Sequence, residues 1–85
     1  MKYRFIEDPG HGWLEVKRAE IERLGIAPKI SRYSYSHGEM AYLEEDCDMG
    51  RFVEAKHEAG EPVEWVRVYQ ENTPVRHYDR WEVRS

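Results

Sequence analysis

Repeated changes between strand and helical hydrophobic periods constrain the fold of this chain more than any other feature of its sequence. The segment KYRFIED places Tyr3 and Phe5 on one face, and WLEV follows it after the turn residues DPGHG, which predicts a β-hairpin. The next segment, KRAEIERLGI, has apolar residues at helical spacing and reaches Gly25, a residue suited to ending a helix. KISRYSYSHGEMAYLEE then returns to strand alternation with a turn at His37 and Gly38, which predicts a second hairpin.

The second hairpin is again followed by a helical pattern. In DCDMGRFVEAKHEAGEP, Asp46 or Asp48 fits the N-cap position, and apolar Phe52 lies opposite Glu54 and Glu58. The segment PVEWVRVYQE after it carries strong β-formers on both faces. Because apolar side chains on both faces are typical of a strand buried on both sides, this pattern predicts a central strand.

This order of elements, ββα ββα β, predicts an α+β fold, an antiparallel sheet of about five strands with two helices on one face. At 85 residues, the chain is predicted to form a single domain spanning 1–85. The pattern does not decide among helix, strand and tail for residues 72–85. Tyr78 and Trp81 fit one turn of a helix, whereas RWEV fits an edge strand.

The cysteine content indicates the compartment in which the chain works. Cys47 is the only cysteine, so an intrachain disulfide is excluded and a reducing cytoplasm is favoured. The start MKYRFIEDPG has no apolar stretch of signal-peptide length, and no segment approaches the length of a membrane span. We therefore expect a cytoplasmic protein with no membrane partner.

Negative charge is concentrated in one third of the chain. Residues 39–64 hold nine acidic residues against Arg51 and Lys56, a net charge of −7, whereas the whole chain carries −4. Such asymmetry bears on association and solubility rather than on the fold.

The sequence gives little support for a metal site or a catalytic centre. DCDMG resembles the start of a calcium loop, but the glycine falls one place early and His57 takes the place of the bidentate glutamate. The four histidines and Cys47 lack the short paired spacings of zinc sites. Acidic neighbours oppose thiolate formation at Cys47, so we expect it to be a small buried residue, and we predict no enzymatic activity, no cofactor and no metal.

Two interpretations of the acidic segment stay open. In one, the acids cap a helix and otherwise form a solvated surface. In the other, they form a surface that binds a basic partner, since carboxylates on a rigid helix attract lysine and arginine and speed association. The candidate partner-binding residues are Glu44, Glu45, Asp46, Asp48, Glu54, Glu58 and Glu61, with Tyr42 or Trp65 as aromatic anchors.

Direct binding of nucleic acid is a weaker alternative. Tyr and Trp residues on strands could stack with bases, but stacking surfaces are usually combined with a basic groove. Arg67, Arg76, Arg80 and Arg84 lie near the end of the chain, so an accessory module would use this Arg-rich C-terminal tail. A small structural or interaction domain is a further possibility.

Several short motifs carry a resemblance to other proteins. WLEV, KISRYSY and YLEEDCD resemble the W-L-x-V, K-I-S-x-Y-S-Y and Y-L-E-E-D-C-D motifs of a group of small uncharacterised proteins from phages and bacterial mobile elements. The likeness covers roughly residues 11–55 and implies a bacterial or viral setting without catalytic residues. In size, acidity and setting the chain is similar to anti-CRISPR inhibitors.

Together these features predict a non-enzymatic protein that inhibits a host nucleic-acid-binding complex by protein–protein contact through its acidic surface. The expected partner is a host protein complex with a basic surface, and the chain itself is expected to be a monomer or a homodimer.

Overall fold

The structure, a computed structural model that describes residues 2–84, is built on a sheet with helices beside it. The sheet has six strands within the described residues: β1 (Lys2–Glu7), β2 (Gly12–Lys17), β3 (Tyr35–His37), β4 (Met40–Glu44), β5 (Glu64–Tyr69) and β6 (Asp79–Arg80). Its two α-helices in that range are α1 (Arg18–Arg23) and α2 (Asp48–Glu58). The predicted α+β class is therefore confirmed, whereas Met1 and Ser85 of the predicted 1–85 domain lie outside the described residues.

The sheet is mixed, with the strand order β5-β1-β2-β4-β3-β6. Both predicted hairpins are present: β1 pairs antiparallel with β2, and β3 with β4. The expectation of an antiparallel sheet of about five strands holds only roughly, because the sheet is mixed and has six strands. β5 runs parallel to β1, with Lys2 opposite Glu64, and the short β6 adds an antiparallel strand beside β3.

Both helices pack on the same face of the sheet. Ile21 of α1 and Phe52 of α2 are fully buried in one cluster with Phe5, Leu14 and Leu43 from β1, β2 and β4. Phe5 is opposite Leu14 and Leu14 is opposite Leu43, so these side chains share a face. Apolar residues at helical and strand spacing thus meet in a single core, as the two periods of the sequence predict.

The opposite face of the sheet is covered by the end of the chain. A short 3-10 helix, Pro74–His77, places Val75 in a second cluster with Ile6, Trp13 and Tyr42. This segment lies within residues 72–85, for which the sequence left helix, strand and tail open. Because the C-terminal segment covers this face, aromatic side chains pointing away from the helices are buried as well.

Trp81 attaches the C-terminal segment to the helix-bearing side of the core. Its side chain is 2% exposed, and its Nε1 donates a hydrogen bond of 3.1 Å to the carbonyl oxygen of Ala27. Backbone pairing of Tyr35 with Arg80 in β6 holds the same segment against β3. Residues 73–81 are therefore a packed part of the domain.

β5 lies at an edge of the sheet, which corrects the prediction of a central strand. Its only neighbour in the sheet order is β1, and Trp65, Val66 and Tyr69 remain 41%, 44% and 61% exposed. The apolar residues on both faces of this strand reflect exposure on both sides rather than burial on both sides.

Neither helix within residues 2–84 combines the length and the apolar character needed to cross a membrane.

Candidate functional site on the outward face of α2

The acids of the acidic segment have different structural roles, and the difference is first seen at the start of α2. The helix starts at Asp48 with Cys47 in the N-cap position, and Cys47 makes no side-chain capping bond. Instead, the carboxylate of Glu44 accepts hydrogen bonds of 3.0 Å from the backbone amides of Asp46 and Cys47. The predicted capping by Asp46 or Asp48 is thus replaced by Glu44, whose two oxygens both bind backbone at the turn into the helix.

Asp48 is buried and structural. Its residue is 0% exposed, and its carboxylate accepts hydrogen bonds from the backbone amide of Ser31 at 3.0 Å and the Ser31 hydroxyl at 2.6 Å. The hydroxyl of Ser34, also fully buried, donates a third bond. Because its oxygens face inward, Asp48 cannot contact a partner, and its place in the predicted partner-binding set is corrected.

Glu61 is bound by cations on the inner side of α2. Arg23 donates to its two carboxylate oxygens at 3.1 and 3.0 Å, and the Lys56 Nζ lies 3.0 Å from Oε1. The hydrogen bonds from Arg23, and then those from Lys56, hold the pKa of Glu61 below its ordinary value. Glu61 is therefore neutralised within the molecule.

Lys56 joins this network from inside the core. The residue is 6% exposed, and its Nζ donates to Glu20 Oε1 at 2.6 Å. Burial lowers the pKa of Lys56, but hydrogen bonds to Glu20, Tyr3 and Glu61 outweigh it and raise the pKa above its ordinary value. The ammonium group thus stays charged beneath the helix, with carboxylates on both sides.

Three further acids, one before α2 and two within it, gather on the outward face of the helix. Glu45, Glu54 and Glu58 line one shallow depression of about 430 Å³ together with Met49 and Val53. None of these three carboxylates has a cation within 4.0 Å among residues 2–84. We call this surface, formed by Glu45, Met49, Val53, Glu54 and Glu58, the acidic groove.

Two cations of the chain lie beside the groove without pairing with its acids. Arg51 and Lys29 line an adjacent depression that also touches Glu54 and Glu58. Neither of these cations forms an ion pair within the described part of the chain. The carboxylates of the groove therefore face solvent, with an apolar floor between them.

The predicted aromatic anchors lie elsewhere. Tyr42 is 5% exposed and packs in the second cluster, where the C-terminal segment covers it. Desolvation, reinforced by the nearby Glu15, raises the pKa of Tyr42. Tyr42 is corrected from an interface anchor to a core residue, and Trp65, although exposed on β5, is not among the residues that line the groove.

Asp46 and Cys47 are exposed next to the groove. The expectation that Cys47 is a buried residue is wrong, because α2 turns its first side chain, Asp48, into the core and leaves Cys47 outside. Desolvation, together with Glu44, Asp48 and Asp46, raises the pKa of the Cys47 thiol. The thiol is therefore protonated at neutral pH.

Metal-ligating side chains are dispersed in the structure. Across residues 2–84, no three His, Cys, Asp or Glu residues approach one another closely enough to hold a metal ion. The acids of the groove thus present charge to solvent without converging on a common centre.

The arginines of the C-terminal segment are largely bound within the domain. Arg67 pairs with Glu7 at 3.5 Å, Arg76 with Asp8 at 2.7 Å and Arg84 with Glu39 at 3.1 Å. Arg80 donates to the carbonyl oxygen of Arg32 and has no carboxylate partner among residues 2–84. They therefore do not form a free basic tail.

The helical pattern of the sequence does not mark Met49 and Val53 as parts of a surface, because both fall on the same side of the helix as Phe52. His57 lies one helical turn after Val53 and also lines this depression, so helical spacing carries a signal for this surface. No family model, no curated protein and no solved structure matches this chain.

Proposed function

We propose that this chain works by binding another protein, and that the acidic groove is the surface it uses. One observation carries the proposal. The groove holds three carboxylates, those of Glu45, Glu54 and Glu58, around Met49 and Val53, and none of the three has a cationic partner in residues 2–84. Glu54 and Glu58 stand one helical turn apart, where like charges repel by a few tenths of a kcal/mol. A cationic partner would relieve this repulsion.

The partner that fits is a protein with a basic surface. Lysine and arginine side chains would pair with the three carboxylates, while their aliphatic stems or a neighbouring apolar residue would cover Met49 and Val53. Proteins that hold nucleic acid carry basic surfaces of this kind. Carboxylates spaced along a rigid helix present negative charge as a phosphate backbone does, so the acidic groove would fit such a surface.

The finer proposal concerns the biological setting. The resemblance of WLEV, KISRYSY and YLEEDCD to motifs of small phage and mobile-element proteins leads us to propose that the partner is a host nucleic-acid-binding complex, and that the chain inhibits it as anti-CRISPR proteins do. In this proposal the chain is not an enzyme and acts in the cytoplasm of a bacterial host as a monomer or homodimer. A phage plaquing assay in a host with active CRISPR interference tests the setting directly.

The binding experiment uses a triple charge reversal, Glu45→Lys, Glu54→Lys and Glu58→Lys. Tagged protein is incubated with bacterial host lysate at low and high salt, and bound proteins are identified by mass spectrometry. We expect the variant to lose at least about tenfold of the bound partner, and the wild-type complex to weaken as salt rises. Asp48 is excluded from the variant because it is buried.

A second triple variant is the matched control. Glu22→Lys, Glu64→Lys and Glu71→Lys change three exposed acids outside the groove, with the same change in net charge. We expect this control to retain the partner. Equal loss in both variants would reduce the effect to overall charge, and retention in both would overturn the acidic groove as the binding surface.

Binding of nucleic acid through the Arg-rich C-terminal segment is the competing proposal. The ion pairs of Arg67, Arg76 and Arg84 with acids of the same chain weigh against it. A salt titration of binding to plain DNA separates the two proposals. Affinity that falls steeply with salt would favour the arginines, and near-absent affinity would favour the acidic groove.

A further inference from the structure

A second depression is lined by arginines and is therefore opposite in charge to the acidic groove. It measures about 650 Å³ and lies where the start of α1 meets the β3–β4 turn and the strand β6. Its cationic lining residues are Arg18, Arg32, Arg80 and Arg84, and its acidic ones are Asp79 and Glu82. Cations therefore outnumber acids in this lining, although the chain as a whole carries −4.

The floor of this arginine pocket is an uncompensated buried charge. Arg18 is 3% exposed, and its Nε is buried without a hydrogen-bond acceptor. Its Nη2 donates to the carbonyl oxygen of Glu82 at 2.8 Å, and no carboxylate among residues 2–84 lies within 4.0 Å. A guanidinium has five N–H donors, so most of the hydrogen-bonding capacity of Arg18 is unused within the domain.

Packing rather than pairing holds Arg18 in place. Its guanidinium carbon lies 4.1 Å from the centre of the Trp81 ring, a stacking geometry that stabilises a desolvated cation. Desolvation, with the nearby charge of Arg84, lowers the pKa of Arg18, and Glu22 and Glu39 oppose this shift. A buried cation with neighbouring like charge is costly unless an anion accompanies it.

The rim of the pocket consists of exposed arginines, Arg32, Arg80 and Arg84. Arg32 pairs with Glu82 at 2.8 Å and Arg84 with Glu39 at 3.1 Å, but all four side chains are at least half exposed, and such pairs contribute little stability. Arg80 stacks over Tyr35 at 4.7 Å. Replacing an exposed carboxylate of the rim by a bound anion therefore costs little free energy.

We propose that this pocket binds the terminal phosphate group of a phosphorylated ligand, with Arg18 as the fixed donor on its floor and Arg80 and Arg84 closing on it from the rim. A phosphate group is the anion that fits best, because its several oxygens accept from more than one guanidinium, and arginine forks pair with them in bidentate fashion. A planar carboxylate has two oxygens and would satisfy fewer of these donors. The proposal is independent of the function proposed for the acidic groove.

The test is a titration of the full chain with inorganic pyrophosphate, followed by nuclear magnetic resonance of arginine Nε–H signals. We expect saturable shifts at Arg18, Arg80 and Arg84, and none when sodium chloride is added to equal ionic strength. Adenosine 5′-diphosphate and a 5′-phosphorylated oligonucleotide then identify the source of the phosphate. An unphosphorylated oligonucleotide binding as well as the phosphorylated one would overturn a site for terminal phosphate.

Variants decide whether the pocket is responsible. Arg80→Gln with Arg84→Gln, both exposed positions, should weaken pyrophosphate binding at least about tenfold. Arg51→Gln with Arg4→Gln removes the same charge from exposed positions elsewhere and should bind as wild type. Arg18→Lys keeps the charge but loses the fork, and should also weaken binding. Equal binding by the pocket and control variants, or no shift at Arg18 in the wild type, would overturn the proposal.

Discussion

The inner and outer faces of α2 are both rich in charge, yet they use it in opposite ways. On the inner face, Asp48 and Lys56 are buried beside Phe52 and fully engaged with partners. On the outer face, Glu54 and Glu58 face solvent with no cation bound to them among the described residues. Formal charge counts both faces alike, but only the outer carboxylates remain available to another molecule.

Among the tests of this comparison, Asp48→Ala is expected to have the largest effect on stability. The substitution leaves the Ser31 amide and the Ser31 and Ser34 hydroxyls without their acceptor inside the fold. We expect the free energy of unfolding to fall by about 3 kcal/mol, measured by urea denaturation, because bonds to a buried carboxylate are among the strongest. Asp46→Ala, two positions earlier and exposed, is the control and should stay within about 0.5 kcal/mol. A similar loss of unfolding free energy in Asp48→Ala and Asp46→Ala would contradict the distinction between inner and outer acids.

Lys56→Met sharpens the comparison on the same inner face. Removing the buried ammonium leaves the exposed Arg23 as the only cation paired with Glu20 and Glu61 among residues 2–84, and we expect a loss of about 2 kcal/mol in unfolding free energy. Adding Glu20→Leu to this variant should recover part of the loss, since apolar packing then replaces the pair. A single variant as stable as wild type would mean that Lys56 is not needed for the buried network.

Asp8 extends the comparison to the β1–β2 turn and predicts a pH dependence. Its carboxylate accepts from Arg76 Nε at 2.7 Å and from the Gly10 and His11 amides at 2.9 and 2.7 Å. The bond from Arg76 holds the pKa of Asp8 well below its ordinary value. A lowered pKa adds stability above the unfolded-state value, near pH 4, that is lost progressively as pH falls below it.

Thermal unfolding between pH 2 and pH 7 measures this contribution. In Asp8→Asn we expect a lower melting temperature at pH 7 and a flatter decline toward pH 2 than in the wild type. Asp79→Asn, at an exposed position, should keep the wild-type profile. An unchanged profile in Asp8→Asn would show that the Arg76 pair does not stabilise the fold.

The smallest expected effect belongs to the outer face. Changing Glu45, Glu54 and Glu58 to Gln should alter the free energy of unfolding by no more than about 0.5 kcal/mol, since the carboxylates have no partners in the described structure to lose. Circular dichroism during urea denaturation measures it. A loss as large as that of Asp48→Ala would place these acids among the structural charges and remove them from the proposed binding surface.

Much of the fold follows from the periods of the sequence, and its exceptions have physical causes. Both hairpins and both helices lie where the pattern predicts them, since local spacing specifies them. β5 was placed at the centre because its apolar residues occupy both faces, a pattern that burial and two-sided exposure share. The parallel pairing with β1 depends on a contact between residues 62 positions apart, which no local pattern records.

The charge pattern of the sequence locates the acids of the candidate site but not which of them are buried. Charge composition identified Glu45, Glu54 and Glu58, but it could not separate them from Asp48, whose serine partners lie 14 and 17 positions away. A local signal existed for Lys56, which falls four residues after Phe52 and therefore on the buried face of α2. The burial of Tyr42 depends on the C-terminal segment, whose conformation the sequence left open.

The position of β5 also affects how the chain folds. Each hairpin joins strands that are near neighbours in sequence, so both are able to close early, whereas Lys2 meets Glu64 only after 62 intervening steps of chain have been organised. We therefore expect β5 docking to be the late event in folding. Until β5 docks, the edge of β1 that pairs with it has unpaired backbone N–H and C=O groups. The late step of folding therefore coincides with the interval of greatest risk of aggregation.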